Sequence, residues 1–287
     1  MRRTSADFLT FQNAIAASLN RRFPAQLAQD DDNVGLTVGA LREVERGGSG
    51  LVLLCVDLTE QVLAEAVSQR CDFIVTYSPM PHTPLRVIST EDVQGRILLI
   101  CAQHSIAVHS IHTACDDASG GISEWLARSL APGNTTPIIP HPTIPEAGRG
   151  RLLESAQAVP LSALMARLKS LLGVRYLRLA LGAMVDEGNL ARAQECCFVK
   201  TIAVQVGRGA ALLGECTANV FITGEMAHAD VIAANAQGVM VILTGQSTME
   251  RAYMHHLQQE LQDEFANSDW NVKFRTSQVD SNPLSVV

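Results

Sequence analysis

Short apolar segments alternate with helical patterns along most of the chain, and this alternation constrains the fold more than any other feature. Strand-like runs at 51–57, 72–77 and 107–110 are separated by helical patterns at 60–69 and 91–104. Strands separated by helices at this spacing pair in parallel, because the helix returns the chain to the same end of the sheet. The sequence therefore predicts an α/β fold with helices on the faces of a largely parallel sheet.

A second group of elements follows a segment rich in proline and glycine. Residues 131–150 contain five prolines and three glycines, which predicts a boundary between two parts of the chain. Beyond this segment the pattern again alternates, with helices expected at 161–172, at 229–237 and from about 248, and strands at 176–180, 201–206, 220–223, 239–243 and 272–275. We therefore expect two lobes, each with a mainly parallel or mixed sheet and flanking helices.

The charge and hydropathy of the chain exclude several classes of protein. The 287 residues carry a net charge of −7, which argues against a general binder of nucleic-acid phosphates. The longest apolar runs, 50–56 and 96–101, are much shorter than the ~20 residues needed to span a bilayer. Basic pairs at 2–3 and 21–22 are typical of an organellar presequence, but Asp7 interrupts the pattern. We expect a cytoplasmic protein, with mitochondrial and nuclear locations as the alternatives.

The seven cysteines form no CxxC pair, and most lie in apolar strand-like or helical segments. This pattern predicts reduced, buried thiols rather than a disulfide framework. Cys115 differs, because it lies beside a polar cluster.

Polar residues gather where the predicted strands end, and such ends are where parallel α/β sheets place their sites. These stretches are Asp57-Leu58-Thr59, Thr76-Tyr77-Ser78-Pro79, His112-Thr113-Ala114-Cys115-Asp116 and Gly245-Gln246-Ser247-Thr248-Met249-Glu250. Residues 66–78 also resemble residues 234–246, since both run from a helix through a short turn to a buried strand, a threonine and polar residues. An internal repeat and a coincidental likeness between two α/β units both explain this similarity.

Five motifs in order resemble the Nif-three-like family, some of whose members carry the label GTP cyclohydrolase type 2. They are the acidic segment 32–36, the strand end 57–59, the block 106–130, the run 221–228 (Phe-Ile-Thr-Gly-Glu-Met-Ala-His) and the pair Glu250-Arg251. The resemblance covers nearly the whole chain. It implies a ring-shaped (toroidal) homohexamer in which each subunit carries a two-metal site. The family's ligands are two consecutive histidines, an aspartate, a third histidine and a glutamate.

The resemblance also implies a discontinuous first lobe, because the family's site combines N-terminal residues with the segment around Gln246 and Glu250. We therefore expect residues 1–131 and about 238–287 in the first lobe. The second lobe would comprise about 151–237, with 132–150 as a linker.

This sequence departs from the ligand pattern that the resemblance implies. Tyr77 and Ser78 stand at the positions of the paired histidines, and Gln246 stands at that of the third. Asp116 and Glu250 remain as strong ligands. Hydroxyls and amides bind transition metals more weakly than imidazole does, so the sequence predicts a depleted site. It would suit Mg²⁺ or Ca²⁺ better than zinc. Zinc, iron, manganese or magnesium, or no metal at all, are the expected occupants.

Other residues could compensate for these losses or line the site. His82, in a proline-rich loop, is a candidate substitute ligand, with a solvent-exposed histidine as the alternative. His112 and Asp57 are the candidate catalytic residues, and His112 could equally be a metal ligand, an orienting residue or a structural histidine. His228 is either a pocket residue or a helix cap. Further candidate pocket residues are Thr76, Thr113 and Glu225.

Two weaker patterns stand outside the family motifs. Gly207-Arg208-Gly209 has the form of an anion-binding turn before a helix. The alternative is an ordinary glycine-containing turn. His255-His256 lacks a third ligand at suitable spacing, which favours a solvated helix face.

Two functions follow from these expectations. The first is a homo-oligomeric scaffold or weak metal binder, with a regulatory protein as its partner. The alternative is a metal-dependent hydrolase acting on a nucleotide or on another phosphorylated or heterocyclic small molecule. Membrane association and nucleic-acid binding are not expected.

Overall fold

The computed structural model describes residues 11–41, 49–182 and 196–285 of the chain. The chain forms two compact units. The first unit comprises the residues up to Ala114 together with those from Met254 onward, and the second unit runs from Cys115 to Tyr253.

Nine α-helices and thirteen strands are assigned within the described residues. The helices are α1 (Phe11–Arg22), α2 (Glu60–Ser68), α3 (Val93–His104), α4 (His112–Asp117), α5 (Ile122–Leu130), α6 (Leu161–Leu172), α7 (Ala210–Leu213), α8 (His228–Ala236) and α9 (Thr248–Phe265). The strands are β1 (Gly35–Val38), β2 (Ser49–Cys55), β3 (Phe73–Thr76), β4 (Ala107–Ser110), β5 (Gly133–Thr136), β6 (Ile139–Pro140), β7 (Gly148–Arg149), β8 (Arg151–Pro160), β9 (Arg178–Ala180), β10 (Phe198–Arg208), β11 (Val220–Glu225), β12 (Met240–Leu243) and β13 (Asn271–Thr276).

The first unit is built on a five-stranded sheet with the order β1-β4-β3-β2-β13. Strands β13, β2, β3 and β4 are parallel, and only the edge strand β1 is antiparallel to its neighbour. Residues of β3 and β4 are buried throughout, as expected for strands covered on both faces. Leu53, Ile74 and Val108 from three adjacent strands share one apolar core with residues of α2 and α3.

The second unit contains a six-stranded mixed sheet with the order β5-β8-β10-β11-β12-β9. Strands β10, β11 and β12 are parallel, whereas β5, β8 and β9 run antiparallel to their neighbours. Ala203, Phe221 and Val241 form part of the core on this sheet. A separate hairpin pairs β6 with β7.

Side-chain caps fix the start of two helices in the first unit. The Thr59 hydroxyl accepts a hydrogen bond from the Val62 amide at 3.2 Å and caps the start of α2. The Asp92 carboxylate accepts one from the Gly95 amide at 2.8 Å at the start of α3. These caps set where each helix leaves the preceding strand or loop.

The predicted α/β fold class is confirmed, and most predicted elements lie within a few residues of the observed ones. The region predicted as a linker, 132–150, instead includes β5 of the second sheet and the β6–β7 hairpin. Strand β8 follows this region. It was not predicted, because its charged residues interrupt the apolar pattern that indicates a strand. Strand β12 belongs to the second sheet, whereas the predicted boundary placed residues from about 238 in the first lobe.

All seven cysteines are free thiols, and four of them are buried: Cys55, Cys71, Cys101 and Cys115. Burial raises the pKa of Cys71 and of Cys101 to about 12, so these thiols stay protonated. Cys196 is exposed, and Cys197 and Cys216 are half-buried, so the prediction of buried thiols holds for four of the seven. In the described part of the chain, no helix is both long enough and apolar enough to cross a membrane.

Candidate functional site

Backbone hydrogen bonds fix the residues that leave the carboxyl end of β3. The Tyr77 amide donates to Cys55 O and the Ser78 amide to Val56 O, each at 2.9 Å. The fully buried Thr76 hydroxyl lies 3.0 Å from Val56 O and 2.9 Å from Ser78 O. Backbone hydrogen bonding to the segment after β2 therefore continues past the end of β3, through positions 77 and 78.

The side chains at these two positions contact other parts of the first unit. The Ser78 hydroxyl donates to Asp57 Oδ1 at 2.7 Å. The Tyr77 residue is only 5% exposed, and its ring packs edge-on against His112 at 5.5 Å with an interplanar angle of 77°. The structure thus brings Asp57, Tyr77, Ser78 and His112 to the same end of the first sheet.

Asp32 joins this group, although sequence analysis had not selected it as a site residue. Its carboxylate oxygens both lie 2.9 Å from His112 Nδ1. The Thr113 amide donates to Asp32 Oδ2 at 3.2 Å, and the Thr113 hydroxyl also donates to that oxygen. The Gln29 amide in turn donates to the Thr113 hydroxyl at 3.0 Å. The acidic run before β1 could have indicated this contact, because β1 pairs with β4 and His112 follows β4.

The pKa of Asp32 is lowered from its ordinary value. Burial is the largest influence and by itself would raise the pKa. Hydrogen bonds from His112 and Thr113, together with the charge of His112, outweigh it. Asp32 is therefore a carboxylate at neutral pH, and a carboxylate only accepts hydrogen bonds.

The proline-rich loop after β3 places His82 in solvent. His82 is exposed, and its backbone amide donates to Gln94 Oε1 at 2.7 Å. The loop is held at its start by the Met80 amide, which donates to the Ser110 hydroxyl at 3.2 Å. This arrangement matches the solvent-exposed alternative for His82 and gives no support to a substitute ligand.

The two retained acidic positions are both buried in the second unit. Asp116 is 6% exposed near the end of α4, and Glu250 is 4% exposed in the first turn of α9. Gln246 is exposed and lies between Gly245 and Ser247, which adopt φ values of 88° and 63°. Within the residues that the structure describes, no three His, Cys, Asp or Glu side chains are placed to share a metal ion.

A fully buried arginine stabilises the backbone that follows Asp116. The Arg151 guanidinium donates to Ala118 O at 2.8 Å and to Gly148 O at 2.6 Å, and its Nε lies 3.3 Å from Glu124 Oε2. Burial raises the pKa of Asp117 to about 6, although nearby arginines oppose the shift. Sequence analysis missed this cluster, because a lone arginine at the start of a strand gives no indication of burial.

Two further candidates, Glu225 and His228, belong to the second unit. Glu225 forms an ion pair with the exposed Arg178. His228 is exposed as the first residue of α8, and the cap residue is Ala227, so a capping role for His228 is wrong.

At residues 207–209 the structure matches the alternative of an ordinary glycine-containing turn. The Gly209 amide is already bonded to the Thr223 hydroxyl at 3.0 Å, and α7, which follows, has only four residues. His255 is exposed and His256 half-buried, with ring nitrogens near Thr276 and Glu260. Neither feature supplies a ligand site.

Comparisons with known proteins give a consistent result. A sequence model of the family described as Duf34/NIF3 (NGG1p interacting factor 3) matches residues 12–283. The protein NIF3 homolog of Schizosaccharomyces pombe is 33% identical over 270 residues, which cover 91% of this chain and 93% of that protein. The GTP cyclohydrolase 1 type 2 homolog of Streptomyces coelicolor is 28% identical over 235 residues, covering 80% of this chain and 77% of that protein.

Solved structures share the fold at low sequence identity. A hypothetical protein of Staphylococcus aureus has a TM-score of 0.79 at 20% identity, with 98% of this chain and 100% of that chain covered. A Bacillus cereus protein related to NIF3 has a TM-score of 0.77 at 20% identity, with 96% and 98% covered.

Proposed function

This chain belongs to the Duf34/NIF3 family, and from that premise we propose that it is a homo-oligomeric scaffold with a depleted, weakly binding divalent-cation site. The observation that carries the proposal is the set of contacts that the side chains at positions 77 and 78 make. The Ser78 hydroxyl is hydrogen-bonded to Asp57, and the Tyr77 ring is buried against His112. Neither side chain supplies the imidazole that a transition metal prefers.

The remaining donors suit a different class of cation. Asp116 and Glu250 are buried carboxylates, and carboxylate oxygens favour hard cations such as Mg²⁺, Ca²⁺ and Mn²⁺. Two carboxylates without imidazoles do not fit a two-metal hydrolytic centre, so no catalytic step is assigned to a metal here. The protein's role then depends on its fold and on its surfaces, as a ring-forming assembly that holds a regulatory partner.

A metal-dependent hydrolase is the second candidate function. It is favoured by the Streptomyces coelicolor relative that carries the name GTP cyclohydrolase 1 type 2 homolog. Its substrate would be a nucleotide or another phosphorylated or heterocyclic small molecule. The two candidates differ in the metal content that they require.

Elemental analysis of protein purified without added metal distinguishes them. We expect far less than one zinc, iron or manganese ion per chain, and weak Mn²⁺ binding that is lost in the double variant Asp116→Asn/Glu250→Gln. Near-stoichiometric zinc or iron that this variant loses would overturn the depleted site and favour the hydrolase. Light scattering of the same sample tests the oligomer, and a monomer at micromolar concentration would overturn the ring assembly.

Restoring the lost ligands gives a sharper test. The triple variant Tyr77→His/Ser78→His/Gln246→His is expected to gain zinc binding by at least about tenfold, because imidazole is a much stronger zinc ligand than a hydroxyl or an amide. The matched control is Gln61→His/Gln157→His/Gln237→His, which places three histidines at exposed positions of separate elements. If both triple variants bind zinc equally, positions 77, 78 and 246 are not ligand positions, and the depleted-site proposal is wrong.

A further inference from the structure

A groove in the first unit lies between α1 and the loop that joins α9 to β13. Its volume is about 330 Å³, which is within the range of sites that bind small molecules. Phe265 and Trp270, each only 7% exposed, line it together with Ala14 and Ala17 of α1. All of these residues belong to the first unit. The groove thus offers an apolar surface with two aromatic rings to a ligand.

This groove is separate from the cluster that contains Ser78. Strand β13 is parallel to β2, and β2 is parallel to β3, so the three strands begin at the same end of the first sheet. Trp270 directly precedes β13, whereas Ser78 follows β3. The groove and Ser78 therefore lie at opposite ends of the sheet, and variants of one leave the other unchanged.

Small side chains on α1 keep the groove open. Ala14, Ala17 and Arg21 follow one another at spacings of three and four residues, so they share one face of the helix. The ring of Phe11 packs edge-on against Trp270 at 5.7 Å with an interplanar angle of 73°, which links the start of α1 to the loop. The two alanines between Phe11 and Arg21 leave the space that larger side chains would fill.

The loop that carries Asp269 is ordered by the Ser268 hydroxyl. This oxygen lies 2.9 Å from Phe265 O and 3.1 Å from Trp270 O, and it accepts a hydrogen bond from the Trp270 amide at 3.2 Å. Asp269 is exposed and lines the groove. A fixed turn therefore presents a carboxylate at the rim of the groove.

Arg21 places a positive charge at the rim from the other side, on α1. Its Nη2 donates to Glu264 Oε1 at 2.9 Å, and 68% of its side chain is exposed. Glu264 also accepts hydrogen bonds from the Ser18 hydroxyl at 2.7 Å and from Arg22 Nη2 at 3.0 Å. Because Arg22 shares the charge of Glu264, Arg21 can also pair with the carboxylate of a ligand. The rim thus combines a cation and an anion that come from different elements.

We propose that this groove binds a free aromatic amino acid. Its ring packs against Phe265 and Trp270, its carboxylate pairs with Arg21, and its ammonium group pairs with Asp269. A ligand with a single charge fits less well. An aromatic acid brings its carboxylate close to Asp269, and an aromatic amine brings its ammonium group close to Arg21, so each meets a like charge.

Titration of the full chain with L-phenylalanine, followed by ligand-observed NMR, tests this binding. We expect a dissociation constant of about 1 mM or lower, as for a small ligand in a preformed groove. Phenylpropionate, which lacks the ammonium group, and phenethylamine, which lacks the carboxylate, should each bind at least about threefold more weakly. N-acetyl-phenylalaninamide, which has neither charge, should bind at least about tenfold more weakly.

Variants of the rim and of the wall test the position of the ligand. Arg21→Gln and Asp269→Asn should each raise the dissociation constant at least about threefold, because each removes one ion pair. Ala17→Leu should abolish binding, since leucine fills the groove without a change of charge and is compatible with a helix. The matched controls are Arg86→Gln and Asp263→Asn, which remove exposed charges outside the groove and should keep the wild-type affinity. Circular dichroism checks that each variant is folded.

Three outcomes would overturn the proposal. The first is no binding of L-phenylalanine up to about 10 mM. The second is equal or tighter binding of phenylpropionate, phenethylamine or N-acetyl-phenylalaninamide; for the last of these, the groove would take an aromatic side chain of another protein instead. The third is an unchanged dissociation constant in folded Arg21→Gln, Asp269→Asn and Ala17→Leu, which would place the ligand elsewhere. Because no metal takes part, none of these outcomes bears on the depleted cation site.

Discussion

Strands β3 and β12, one in each unit, end in closely similar local structures that carry different side chains. Each strand is preceded by a helix and a turn with one residue in the left-handed region, Arg70 with φ 56° and Gly238 with φ 81°. After each turn, the next amide donates to a helix carbonyl at 2.9 or 3.0 Å. The sequence similarity between 66–78 and 234–246 thus corresponds to a shared backbone.

The threonines at the two strand ends also correspond, but they are held differently. The Thr76 hydroxyl lies 3.0 and 2.9 Å from two carbonyl oxygens and is fully buried. The Thr244 hydroxyl lies 3.2 and 3.5 Å from its two carbonyls. Beyond them, the first unit continues with buried Tyr77 and the second with Gly245. The two units therefore share the backbone of the turn and strand end, and they differ in the two residues that follow the threonine.

The largest expected effect comes from the threonines. Thr76→Val should lower the free energy of unfolding by about 1–3 kcal/mol, because it removes the buried hydroxyl that hydrogen-bonds to Val56 O and Ser78 O. Thr244→Val should cost about 0.5–1 kcal/mol, since its hydrogen bonds are longer. Urea unfolding followed by circular dichroism measures both, and Thr76→Ser, which keeps the hydroxyl, is the control. Equal losses at the two sites would contradict the difference in their hydrogen bonds.

The left-handed turn residues should respond in opposite directions. Gly238→Ala should lower stability by about 1 kcal/mol, because a side chain with positive φ is strained. Arg70→Gly should raise stability by about 0.5–1 kcal/mol, because it removes that strain at an exposed position. Thermal unfolding of both variants checks this result. A gain from Gly238→Ala would show that the two turns are not equivalent.

The last pair of variants concerns the second residue after each threonine. Ser78→Ala should cost about 0.5–1.5 kcal/mol, because it removes the hydrogen bond to Asp57. Gln246→Ala, at an exposed position, should stay within about 0.5 kcal/mol of the wild type. Denaturation curves of the two variants measure the loss in the free energy of unfolding. A larger loss for Gln246→Ala than for Ser78→Ala would contradict this comparison.

Much of the fold could be predicted from the sequence, because the parallel strands are short buried runs with clear helices between them. The predicted ranges of β4 and α6 agree with the structure. Strands β5, β6, β7 and β8 were missed, since edge and antiparallel strands tolerate glycine, proline and charge. Helix α4 was also missed, because its six residues are too few to show a hydrophobic period.

The candidate site was only partly predictable. Motif order located Asp57, Tyr77, Ser78 and His112, and the structure brings them to one sheet end. Asp32 could not be selected within its acidic run, because its role depends on a contact with a residue that is distant in sequence. Whether the retained carboxylates bind a cation stays a prediction, because the ligand pattern comes from resemblance rather than from measured binding.

The position of β13 beside β2 has a consequence for the order in which the chain folds during synthesis. The second unit is continuous, so all its residues have been made once Tyr253 has been added. Strand β2, made far earlier, acquires its outer neighbour only when residues 271–276 leave the ribosome. Until then the nascent chain carries an open β edge, a template for pairing with another chain. Pairing of β13 with β2 therefore covers this edge and ends its availability for pairing with another chain.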